Sequence, residues 1–174
     1  MPKLQIKNIF LVDDDPQHNE MLREYLRQHY KVNIYPFTSG EEAVKRIGEL
    51  RPAYVILDYY LDREDKNAKN GLEILKMIKK EYPDTYIVML SGQDKIDVAV
   101  DTMKFGAYDY VVKNPSGFIR VDTIMRNIRE NMKLRFYARA YRFTTFFLGG
   151  FIIAIIIAAV VLRMLGISTD NVGW

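Results

Sequence analysis

The 174-residue chain contains no cysteine, one tryptophan and two histidines. Without cysteine there is no disulfide framework and no thiolate metal site, which fits the cytosol. Glycine-rich phosphate loops are missing too, so nucleotide cradling of that kind is not expected. The N-terminus, "MPKLQIKNIFLVDDD", is too short in its apolar run, and too acidic after it, for a signal peptide. What the chain does have is uneven. Residues 118–142 carry seven basic side chains (Arg120, Arg126, Arg129, Lys133, Arg135, Arg139, Arg142) against Asp122 and Glu130. The net charge of +3 therefore hides an acidic remainder and a basic segment. Acidic and basic functions are expected in different places.

From residue 8 the chain alternates short apolar runs with stretches of helical period. "NIFLV", "KVNIYPF", "AYVILDYYL", "TYIVMLSG" and "YDYVVK" read as strands. Between them, segments beginning at Pro16, Gly40, Gly71 and Lys95 read as helices, and a last helix is expected from Ser116 or Gly117. Pro16 suits a first helical turn, with Asp15 before it as a cap. Pro36 suits the end of a strand. Parallel strands need crossovers, and right-handed crossovers lay helices on the sheet, so a five-stranded parallel sheet covered on both faces is predicted. Ligand sites in such folds lie at the carboxyl ends of the strands, near the switch in strand order.

That edge collects chemistry. Asp13, Asp14 and Asp15 follow the first strand, Asp58 ends the third, Ser91 follows the fourth and Lys113 the fifth. Gathered carboxylates repel unless a cation intervenes, and magnesium takes one or two carboxylates plus phosphate oxygens. An aspartate beside such an ion can accept a phosphoryl group, while Lys and Ser hold its oxygens. The triple aspartate lacks the Thr or Val that follows the nucleophile loop of haloacid-dehalogenase-type phosphotransferases. His18 and His29 read as solvated helix residues without a role.

The motifs "IFLVDDDP", "YVILDYYLD", "YIVMLSGQ" and "GAYDYVVK", in that order, resemble the receiver domain of two-component response regulators, across about residues 7–132. The resemblance implies a flavodoxin-like (βα)5 doubly wound sheet. It makes Asp58 the phosphoacceptor, supplied by a sensor histidine kinase or a phosphotransfer protein. Mg2+ would be held by Asp14 directly, Asp13 through water, Asp58, and the backbone carbonyl of Tyr60. Ser91 would bond a phosphoryl oxygen, Lys113 would pair with the phosphate, and Tyr110 would be the aromatic switch that moves with Ser91. Such a domain is a switch, not an enzyme in the ordinary sense. Two departures stand out. The loop 59–70 is longer than the family's usual one and lacks its Pro. Asn114 stands where the family has Pro after the Lys, and a cis Lys113–Asn114 bond would cost roughly 3 kcal/mol.

Residues 143–162 are apolar apart from Thr144 and Thr145. As a helix that run is about 30 Å long, the thickness of a bilayer's hydrocarbon core. The expected organisation is a receiver over 1–132, a basic juxtamembrane helix over 133–142, a transmembrane helix over 143–162 and a short tail over 163–174. Lys133, Arg135, Arg139 and Arg142 precede the span and only Arg163 closely follows it. The basic side stays in the cytoplasm, which makes this a single-pass inner or plasma membrane protein with a cytoplasmic receiver. The basic segment would meet anionic lipid. No helix-turn-helix fits between residue 130 and the span, so nucleic acid is not an expected partner. Gly150, Ala154 and Ala158 recur every four residues and would allow a homodimer. The leading expectation is a membrane-anchored single-domain response regulator that signals by protein contact. The alternatives are a docking scaffold that is not phosphorylated, and a phosphate sink.

Overall fold

A computed structural model describes residues 8–61, 68–92 and 95–164, except for the side chains of 135–145. Two compact units divide the chain. The first closes at Ile128 and the second begins at Arg129. The predicted alternation is present. Strands β1 (Asn8–Val12), β2 (Asn33–Phe37), β3 (Tyr54–Asp58), β4 (Tyr86–Ser91) and β5 (Asp109–Val112) alternate with helices α1 (Pro16–His29), α2 (Gly40–Leu50), α3 (Gly71–Glu81), α4 (Ile96–Lys104) and α5 (Gly117–Met164).

The strands form one parallel sheet in the order β2-β1-β3-β4-β5. Strand side chains alternate between faces, and the sequence uses both. Phe10, Val12, Val55, Leu57, Ile87 and Met89 share a buried cluster with Ala43 and Ile47 of α2 and Ile74, Leu75 and Ile78 of α3. The intervening Ile9, Leu11, Ile56 and Val88 are equally buried, as are Leu22 and Leu26 of α1 and Val121, Met125 and Ile128 of α5. Two long-range contacts tie α5 in. The Tyr54 hydroxyl donates to the Met125 carbonyl (3.2 Å), and the Tyr30 hydroxyl donates to Asp122 Oδ1 (2.5 Å). With both faces covered, β3 is buried along its whole length, as a near-continuous apolar run requires.

Local stop and start signals explain the boundaries. Asp15 caps α1 by accepting from the N–H groups of Gln17 and His18, as expected. Asn70 and Glu73 cap α3 reciprocally, each side chain bonding the other's backbone N–H. Pro36 is the fourth of five residues in β2 and not its last. An edge strand accommodates it, because a missing N–H on the outer side removes no ladder bond. The peptide bond between Lys113 and Asn114 is trans, and no cis bond occurs among the described residues.

In the second unit, α5 includes Phe146–Met164, 19 residues of mean hydropathy 2.6, none of them buried. By length and composition that stretch could cross a membrane. Of the run expected from sequence, 143–162, all of the residues from Phe146 onward fall in this stretch, and the side chains of 143–145 lie outside the described ones.

Candidate functional site

The switch in strand order falls between β1 and β3, the two strands that open the crevice where ligands bind in such sheets. Register does the rest. Val12 pairs with Leu57, so the next residues, Asp13 and Asp58, emerge side by side at the carboxyl edge. Ser91 ends β4 opposite Val112 of β5, and Lys113 comes next. The Lys113 N–H donates to the Ser91 carbonyl (2.7 Å), which fixes the lysine backbone at this edge.

Asp13, Asp14 and Asp58 each bring one carboxylate oxygen within 4.8 Å of the others. Asp58 is 0% exposed and Asp13 2%. Lys113 Nζ donates to Asp58 Oδ2 at 2.8 Å and lies 2.6 Å from Asp13 Oδ2. Three carboxylates against one ammonium leave an excess of negative charge in a buried space, an arrangement that favours a bound cation. Burial raises the Asp13 carboxyl. The His18 and Lys113 side chains beside it outweigh that and hold it below its ordinary value of 3.8. The donor set is all hard oxygen, suited to magnesium or calcium and unsuited to soft metals. Asp13 Oδ2 is also buried without a hydrogen bond of good alignment, an acceptor with capacity left for an ion or its water. The residues fit a small divalent cation.

Of the other expected residues, Ser91 is fully buried at the end of β4, the neighbour of β3. The Tyr60 N–H approaches Asp58 Oδ1 at 3.4 Å. Tyr110 sits within β5, half-buried against the core cluster. Within the loop of 59–70, residues 62–67 lie outside the described residues. The last residues of the expected tail, 165–174, do so as well.

Three further residues build the site. Buried Asn19 donates through Nδ2 to the carbonyls of Asp13 and Phe37, both at 2.9 Å, and so pins the chain that carries the acids. Gly71 starts α3 directly beneath Asp58. A Cβ there would collide with the Asp58 carbonyl oxygen and crowd Tyr59 Cα at 2.8 Å. His18 is a correction to the sequence reading. It is not solvated, because Nδ1 stands 2.6 Å from Asp13 Oδ2 and the ring packs on Phe118 with centroids 5.3 Å apart. Its place in the first turn after the Asp15 cap was the available signal, since such a turn folds back over the strand end. His29 is exposed, as expected.

The clustered acids and Lys113 thus meet at the carboxyl edge of a doubly wound parallel sheet, where such folds bind their ligands. Residues 9–119, more than half of the chain, match the response regulator receiver domain family, and the chain belongs to that family. It is 33% identical over 129 residues to the nitrogen assimilation regulatory protein NtrX of Azorhizobium caulinodans, covering 74% of this chain and 27% of that protein. It is 29% identical over 128 residues to the transcriptional regulatory protein MalR of Bacillus subtilis, covering 73% of this chain and 52% of that one. The crystal structure of the receiver domain of NtrX from Brucella abortus superposes with a TM-score of 0.61 at 28% identity, covering 68% of this chain and 95% of that one. The chain thus spans about half, or about a quarter, of the length of these curated relatives.

Proposed function

We propose that the protein is a membrane-anchored receiver, phosphorylated on Asp58 by a sensor histidine kinase or a phosphotransfer protein, that signals by protein contact. The observation that carries this reading is the meeting of Asp13, Asp14 and Asp58 with Lys113 at the strand-order switch. In the transfer, a carboxylate oxygen of Asp58 attacks the phosphorus of a phosphohistidine. A P–O bond forms, the P–N bond breaks, and the histidine nitrogen leaves with the electron pair. Lys113, already against Asp58, moves onto the phosphoryl oxygens and offsets their charge, and the Ser91 hydroxyl donates to one of them. Asp13, Asp14, Asp58 and the Tyr60 carbonyl would hold Mg2+, which would offset the negative charge of the phosphoryl oxygens during transfer. Tyr110 would follow the Ser91 movement as the switch. The protein acts as a switch and not as a turnover catalyst.

The anchor is the stretch Phe146–Met164, which carries no charge before Arg163. The basic residues before it support a receiver on the cytoplasmic side and favour anionic lipid at the inner or plasma membrane. Gly150, Ala154 and Ala158 offer a face on which two such helices can approach closely. Nucleic acid has no role in this reading.

The test uses the full chain in detergent micelles, with acetyl phosphate and Mg2+. A base-labile phosphoryl adduct found by mass, absent in Asp58→Asn and absent without Mg2+, is the expected result. No adduct on folded protein would move the reading to a docking scaffold, and very fast loss of an adduct would favour a phosphate sink.

A further inference from the structure

His18 touches two parts of the molecule at once. Its backbone N–H is held by the Asp15 cap, and its side chain turns inwards so that Nδ1 stands 2.6 Å from Asp13 Oδ2. Lys113 Nζ is equally close to that oxygen, at 2.6 Å. Neither approach has the alignment of a hydrogen bond, so His18 is held there by proximity. The other carboxylate oxygen of Asp13 already accepts from the Asp15 N–H (3.1 Å). On its far side the His18 ring packs on Phe118, the second residue of α5, at 5.3 Å and 59°. Phe118 in turn lies 5.8 Å from the Tyr25 ring of α1. The imidazole is wedged between the acid cluster and the first turn of α5.

We propose that His18 is a positioning residue that links cation occupancy of the acid cluster to the first turn of α5. This rests on the divalent-cation reading given above. A dication drawn to the three aspartates is a far stronger partner for Asp13 Oδ2 than a misaligned imidazole. Lys113 keeps a second, well-aligned anchor on Asp58 at 2.8 Å, so of the two neighbours His18 is the one that yields. Its side chain is 18% exposed and has a way out. Rotation about its side-chain bonds is the only motion open to an imidazole on a fixed helix turn, and that rotation sweeps the ring across Phe118. His18 therefore opposes cation binding and makes α5 respond to it.

Two substitutions separate these roles. His18→Asn keeps a nitrogen near the place of Nδ1 but removes the ring. His18→Phe keeps a ring against Phe118 but removes the nitrogen. The full chain in detergent micelles is titrated with MgCl2 by calorimetry, and hydrogen exchange is followed by mass spectrometry over residues 117–124 with and without Mg2+. In the wild type, Mg2+ changes exchange in that segment, and both variants lose the change. His18→Phe binds Mg2+ about fivefold more tightly, the worth of one modest polar contact, whereas His18→Asn stays near wild type. A purely structural role would instead lower the melting temperature and leave Mg2+ affinity alone. Phe118→Leu, which leaves the acid cluster intact, keeps wild-type affinity and loses the exchange response. Wild type that binds Mg2+ with no change over 117–124, or His18→Phe that binds no more tightly, overturns the link and leaves the cation reading standing. If the wild type binds no Mg2+ and Asp14→Asn behaves identically, the cation reading fails and the link falls with it.

Discussion

Ile74 and Ile153 are the same residue in the same secondary structure, yet the first is 0% exposed and the second 58%. Around Ile74, helix α3 is two-sided. Ile74, Leu75 and Ile78 face the sheet, while Glu73, Lys76 and Lys80 face water. Around Ile153 there is no second side, because Phe146 to Leu162 offers no charged residue for water to solvate. The first unit satisfies its apolar residues internally, by stacking helices on both faces of a sheet. Among the described residues of the second unit nothing buries them, and such a surface suits lipid or a protein partner. What distinguishes the two helices is that α3 sets charged residues on a face of their own, whereas Phe146 to Leu162 has none to set.

That contrast can be tested, the largest effect first. Leu75→Ala should destabilise the first unit by about 2–5 kcal/mol, as a cavity in a packed core does. Ile155→Ala should leave denaturant unfolding of that unit unchanged. A shared loss would mean that the two regions are not independent. Ile155→Arg should lower membrane insertion by about 3 kcal/mol, read as protein released by alkaline carbonate from membranes. Full retention of that variant in the pellet would remove the anchor reading. Gly71→Ala should cost the first unit about 1–3 kcal/mol, because the Asp58 backbone has to shift. The same variant should also weaken Mg2+ binding, which calorimetry would detect. The smallest effect is a pH dependence at Glu41, which accepts from the Lys69 N–H (2.9 Å) and the Ser39 hydroxyl (3.0 Å). Burial raises its carboxyl, but these donors outweigh it and the group sits below its ordinary 4.5. A depressed carboxyl stabilises the fold above that ordinary value and loses the contribution as pH falls below it. Unfolding midpoints between about pH 5 and 3.5 should therefore fall less steeply in Glu41→Gln than in the wild type.

Much of the fold could be read from the chain because its signals are local. Apolar runs such as "NIFLV" and "YVIL" set the strands, and helical spacing set α1, α2 and α3, with Asp15 legible as the cap of α1. The acids and Lys113 were legible for a different reason, since a parallel sheet brings the ends of its strands to one edge. What stayed hidden depends on packing between distant segments. Tyr30 meets Asp122 across 92 positions and Tyr54 meets Met125 across 71, and no periodicity announces either pair. The closeness of Gly71 to Asp58 appears only once α3 docks under β3. His18 was misread because a polar residue on an amphipathic helix normally faces water, whereas the first turn of α1 tips towards the strand end.

Pro36 carries one further consequence. The Phe37 carbonyl accepts from the Asp13 N–H, so Phe37 faces inward and, by alternation, the backbone of Pro36 faces away from the sheet. An outer strand would otherwise present an N–H there, ready to recruit a strand from another molecule. The opposite edge, β5, is only four residues long and is a poor template as well. Wherever many copies of the chain meet, those two blunted edges are a safeguard against aggregation through strand pairing.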